Sequence, residues 1–144
     1  MLCTSTLKSV AAVGVIALAA CALETSEVNY DTYAIALKAG ALQAGWLPDW
    51  LPKDSTRILE RHNIDTNARM WVAEVPVGSG VSLPQNCVTA IPASLPAPPF
   101  QRSWWPEGVP HRPGPSQEFL FFECGGHFVG LAAQGGKLIG WSLQ

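Results

Sequence analysis

Charge is scarce in this chain of 144 residues: only 14% of it is Asp, Glu, Lys or Arg, and the formal net charge is −2. No basic stripe is available to neutralise a phosphate backbone, which excludes an ordinary nucleic-acid binder. Long apolar runs are also missing. The longest, Ser9 to Ala20, has twelve residues, well short of the roughly 20 that a membrane-spanning helix needs. No HExxH, paired CxxC, GxSxG, GxGxxG or P-loop pattern occurs, so no metal, nucleotide or other cofactor is expected. What the chain does hold is four Cys, six Trp, twelve Pro and thirteen Gly in a sequence that is 48% hydrophobic. That mixture predicts an exported, loop-rich globular domain.

The apolar run follows a single positive charge, Lys8, and ends in Leu18-Ala19-Ala20-Cys21, the layout of an export signal. These four residues resemble the lipobox of bacterial lipoproteins. The resemblance implies that residues 1–20 are a signal peptide cleaved before Cys21, and that the Cys21 thiol carries a diacylglyceryl group with a further acyl chain such as palmitate on the new N-terminus. Two or three acyl chains suffice for stable anchoring. The membrane is thus one expected partner, through Cys21. Ala22, in place of the Asp that retains such proteins in the inner membrane, implies the periplasmic face of the outer membrane in a Gram-negative cell. Residues 21–30 are read as a lipid-anchored tether and 31–144 as one globular domain.

Beyond the acylated Cys21, the mature chain would keep two thiols, Cys87 and Cys124, an even pair in an oxidising compartment, and a disulfide is expected between them. The alternative makes Cys87 a nucleophile with His111 or His127 as its base. Asn86-Cys87-Val88-Thr89 lacks the local signature of Cys hydrolases.

Along the chain, Asp31 is placed to cap a helix through Ala44, with Gly45 just past its end and Gly40 weakening its middle. An internal echo follows, Trp46-Leu47-Pro48 and Trp50-Leu51-Pro52, whose prolines forbid continuous helix or central strand. Asp54 or Ser55 can cap a two-turn helix from Thr56 to Arg61 that buries Ile58 and Leu59. Arg69 to Val77 reads as a strand with Trp71, Ala73 and Val75 on one face. Nine of the prolines fall between Pro84 and Pro115, together with Phe100, Trp104 and Trp105, which predicts a long ordered loop stapled at Cys87. Phe119 to Cys124, His127 to Ala133 and Lys137 to Ser142, separated by Gly-Gly turns, read as consecutive hairpins. The fold expected is therefore α+β: two N-terminal helices packed on a small antiparallel sheet, a C-terminal meander, with a long Pro-rich loop.

The block from Trp46 to Asn67, including Ile58, His62, Asp65 and Thr66, resembles one found in small uncharacterised bacterial proteins, many of them lipoproteins. Those relatives similarly carry an aromatic strand ending in Cys and a Gly-turn-aromatic hairpin, matched here by Phe119 to Cys124 and Gly135-Gly136 to Trp141. The resemblance implies a shared fold and no activity.

Among candidate site residues, Trp46 and Trp50 are expected in the core. Trp104 and Trp105, adjacent in extended chain and flanked by Arg102 and Arg112, are the expected binding surface, since Trp and Arg are enriched at interface hot spots. His62, Asp65, Asn67 and Arg69 lie close enough in sequence to suggest acid–base or metal chemistry, but a His-x-x-Asp in a turn more often serves backbone hydrogen bonds, and no metal site is expected. The sequence is thus read as a non-catalytic module that binds another envelope protein, the alternative being an envelope hydrolase using Cys87 or His62 with Asp65.

Overall fold

In a computed structural model, which describes residues 24–112 and 118–144, seven strands form one antiparallel sheet. They are β1 (Thr25–Thr32), β2 (Thr56–Asn63), β3 (Arg69–Glu74), β4 (Cys87–Ala90), β5 (Phe119–Cys124), β6 (His127–Ala132) and β7 (Lys137–Ser142), in the spatial order β1-β2-β3-β7-β6-β5-β4. The only α-helix among the described residues is α1 (Tyr33–Lys38), and Pro92–Ser94 forms one 3-10 turn. The expected pair of helices packed on a small sheet is therefore overturned. The C-terminal meander is present as β5, β6 and β7.

Both corrections have local causes. Thr56 to Asn63 alternates, with Ile58, Glu60 and His62 buried. Two of those inward positions hold a carboxylate and an imidazole bonded to each other, so the inward face does not read as apolar. Residues 25–30, expected in the tether, supply most of β1, where Val28 and Tyr30 oppose Glu60 and Ile58.

The first expected helix is cut short at Gly40. Thr32 Oγ1 accepts from Ile35 N–H at 3.3 Å and caps its start. At its end Gly40 takes φ +83°, the Gly40 N–H donates to Leu37 O and the Ala41 N–H to Ala36 O, the paired bonds of a Schellman ending. The same pattern recurs one turn later. Gly45 takes φ +78°, its N–H donates to Leu42 O and that of Trp46 to Ala41 O. The Trp-Leu-Pro echo then makes two successive turns, Leu51 N–H to Pro48 O and Ser55 N–H to Pro52 O, and buries Leu47 and Leu51.

The sheet is covered on both faces. Over one face Ala36, Ala41, Leu47 and Leu51 pack on Tyr30, Ile58, Trp71, Ala73 and Leu138. Over the other, the proline-rich segment lays Leu95, Phe100, Trp104, Trp105 and Val109 on Met70, Val72, Phe121, Ile139 and Trp141. The long loop expected from Pro84 is interrupted by strand β4, and its described remainder is pinned by the Trp141 indole N–H, which donates to Pro96 O at 3.1 Å. β3 is consequently buried on both sides, its inner four residues all in the core. At the sheet's far edge Cys87 and Cys124 face each other across β4 and β5 and are joined by a disulfide.

Candidate functional site

Residues opposite one another in an antiparallel ladder share a face, so the register defines rows across the sheet. His62 opposes Arg69, Arg69 opposes Ser142, His127 opposes Cys124, and Cys124 opposes Cys87. Phe128 opposes Trp141, which sets His127 beside Ser142. One polar row thus runs across the face that the Trp-Leu-Pro segment covers. The next row holds Val28, Glu60, Trp71, Gly140 and Val129.

Near one end of these rows lies a buried polar pair. His62 Nδ1 sits 2.9 Å and 3.1 Å from the two oxygens of Glu60, whose side chain is fully buried. Trp46 stacks on the imidazole, centroids 3.8 Å apart and planes 6° from parallel. Burial raises the Glu60 pKa; the bond to His62 opposes that shift without cancelling it.

Beside the pair is a cleft of about 470 Å³, lined among others by Asp49, Trp50, Arg69, Trp71, Asn86 and His127. Its volume falls within the range of small-molecule sites, about 300–1,000 Å³. Trp71, buried, supplies the floor, and half-buried Trp50 meets it edge to face with centroids 6.1 Å apart. The Arg69 guanidinium, half-buried, reaches over Ser142 to His127, Nη2 lying 3.1 Å and 3.2 Å from the two ring nitrogens. Burial and the Arg69 charge hold His127 below the usual imidazole range, so at neutral pH the ring is uncharged and offers Arg69 an acceptor. Burial also lowers the Arg69 pKa, but a guanidinium stays protonated at neutral pH. Among the described residues no carboxylate forms an ion pair with Arg69.

The expected binding residues fall elsewhere. Arg102 donates to Glu27, with its Nε 2.6 Å from the carboxylate, and Arg61 joins the same acid at 3.3 Å. Burial pushes the Glu27 pKa up, but the bonds and charge of Arg102, with the bond from Arg61, outweigh it and leave the acid below its ordinary value. Trp105 meets Trp141 edge to face at 5.6 Å and donates its indole N–H to Val109 O. Both Trp104 and Trp105 are half-buried against the second core. Arg112 pairs with Glu107 at 2.9 Å on the exposed end of that segment, and His111 Nε2 bonds to Leu95 O.

The structure brings His62 and Arg69 together but leaves Asp65 and Asn67 in the exposed turn between β2 and β3. There the Asn63 side chain accepts from the N–H groups of Asp65 and Thr66, and Asn67 takes a left-handed φ of 58°. The Cys87 sulfur is committed to Cys124. Cys21 and the export signal lie outside the described residues. Sequence reasoning missed Glu60, Asp49 and Asn86 as site residues and named His127 only as an alternative base for Cys87. A period-2 count that allowed a polar pair inside β2 would have found Glu60 and aligned His62 with Arg69. No local signal marks Asn86.

Among the described residues no cluster of His, Cys, Asp or Glu is grouped to hold a metal ion, and no helix is long and apolar enough to cross a membrane. No curated protein and no solved structure matches the chain. Over residues 24–71, from β1 through the Trp-Leu-Pro turns and β2 into β3, the chain is similar to the family described as the YbbD head domain.

Proposed function

We propose that the protein is a lipid-anchored component of the bacterial cell envelope whose domain acts as a non-catalytic recognition module, binding through the cleft above Arg69 and Trp71. The observation that carries this reading is the state of Arg69. Its guanidinium is half-buried beside the His127 imidazole on a cleft that Trp71 also lines, and no carboxylate among the described residues pairs with it. A guanidinium has five N–H donors, so donors remain for a bound group after the contact with His127. The Cys87–Cys124 bond supports export, because such bonds persist in oxidising compartments. The lipobox-like Leu18 to Cys21 supports the anchor. In this reading Arg102, Trp104 and Trp105 are scaffold behind the sheet.

Hydrolysis fits the geometry less well. A disulfide sulfur has no thiolate for attack, and His62 is occupied by Glu60 and covered by Trp46.

Two measurements test the reading. Detergent-phase partition should recover the wild-type protein with lipid on Cys21, and Cys21→Ser should release it or leave it unprocessed. Soluble wild-type protein starting at another residue would remove the anchor. A photo-crosslinking side chain at Asn86, on the cleft, should form an adduct in native membranes that Arg69→Gln abolishes. The same side chain at Glu107, on the opposite layer, should give none. Equal adducts at both positions, unaffected by Arg69→Gln, would end the cleft reading.

A further inference from the structure

Resting on that reading, we infer that the cleft takes a carboxylated saccharide, its acid group held by Arg69 and its ring set against Trp50, which the buried Trp71 backs. Three observations point to this chemistry. First, the charged donor at the cleft is a guanidinium, whose planar fork matches a carboxylate in paired hydrogen bonds. His127 approaches the same nitrogen, Nη2, and leaves the rest of the fork to a ligand.

Second, the other polar groups on the cleft are planar side chains, Asp49, Asn86 and His127, surrounding two indoles set edge to face. A carboxylate offers acceptors only, an amide offers both donor and acceptor, and a neutral imidazole offers one of each. That mixture suits hydroxyls, which donate and accept at once, while the apolar C–H face of a sugar ring packs on an indole. Asp49 and Arg69 line one cleft without forming an ion pair. The site therefore presents an acceptor-rich part and a donor-rich part, and a ligand with its acid at one end and hydroxyls along its ring answers both.

Third, the strands beneath are not edges. β3, β7 and β6 lie inside the sheet, and each is paired on both sides. An extended peptide gains most of its affinity from main-chain bonds to a free edge, and none of these three strands offers one. Recognition in this cleft has to come from side chains.

The test uses the full-length protein in detergent with its disulfide intact. The probes are a trimer of galacturonic acid and the methyl ester of that trimer, which keeps the rings and hydroxyls and removes the charge. Binding is followed by calorimetry and by tryptophan fluorescence. The acid should bind at least tenfold more tightly than the ester, Arg69→Gln should erase the difference, and Asn86→Ala should weaken both. Near-ultraviolet circular dichroism keeps loss of fold apart from loss of binding in each variant.

Equal binding of acid and ester would overturn the carboxylate and leave a neutral-sugar cleft. Binding of neither probe, with the Asn86 adduct still abolished by Arg69→Gln, would overturn the saccharide and leave the recognition reading standing, with a protein ligand in its place. Binding of neither, with no Arg69-dependent adduct, would overturn both.

Discussion

The indole of Trp71 lies directly over Gly140 of the neighbouring strand: a Cβ added to Gly140 would stand 2.4 Å from two of the ring carbons. The floor of the cleft therefore depends on a missing side chain one strand away. Gly140→Ala should cost about 1–3 kcal/mol of stability, the usual range for overpacking a filled core, and should raise Trp71 toward the cleft. Urea denaturation measures the first effect and loss of ligand-induced fluorescence change the second. Unchanged stability would mean that the ring slides aside freely.

Glu60 and His62 form a buried couple whose separation should be expensive. His62→Ala leaves the Glu60 carboxyl without its partner in the core and should destabilise by about 3–5 kcal/mol, whereas replacing both by apolar residues of similar size should recover much of the loss. Thermal melts of the single and double variants check this.

The same acid sets a pH dependence. Because the folded state raises the Glu60 pKa above its ordinary value of 4.5, the folded protein holds that proton more tightly than the unfolded chain. Its contribution to stability is full below pH 4.5 and is lost as pH rises through the higher folded value. The stability difference between wild type and Glu60→Gln should accordingly fall as pH rises above 4.5, measured by denaturant titration at several pH values. A difference that grew with pH would contradict the sign.

His127 should respond to its neighbour in the opposite sense. Burial and Arg69 hold its pKa below the ordinary 6.5, so its contribution is present above 6.5 and lost as pH falls through the lower folded value. Arg69→Gln removes one of the two causes, and the His127 ring resonance in proton NMR should titrate at higher pH in that variant.

The staple at the sheet edge closes a loop between residues 37 apart in sequence, worth about 4 kcal/mol by chain entropy. Cys87→Ser with Cys124→Ser should lower the melting temperature accordingly. Iodoacetamide should label neither cysteine in the native oxidised protein, and labelling of Cys87 would return the thiol-enzyme alternative.

The parts of the fold legible in the sequence were those written in apolar alternation and turn glycines. Trp71, Ala73 and Val75 share a face as expected, and the hairpins after Phe119 follow their Gly-Gly turns. The illegible parts were polar for reasons that only the register supplies. β1 is an outer strand with few apolar residues, and β2 hides a carboxylate behind an imidazole. The site was missed for the same cause: Arg69, His127 and Asn86 are far apart in sequence, and only the pairing of β3 with β7 and β7 with β6, continued through β5 to β4, brings them to one cleft.

That central pairing also dictates an order of events. Nothing nearer in sequence occupies the side of β3 that β7 fills, so Arg69–Glu74 must wait for Lys137–Ser142 before its second ladder can close. A chain emerging N-terminus first would hold that strand open, with both of its side-chain faces bound for the core, while residues 75–136 were still arriving. Pairing over so long a separation is slow to form. The two ends of the sheet can each assemble from local hairpins, β2 with β3 and β5 with β6, but the floor of the cleft exists only after they meet.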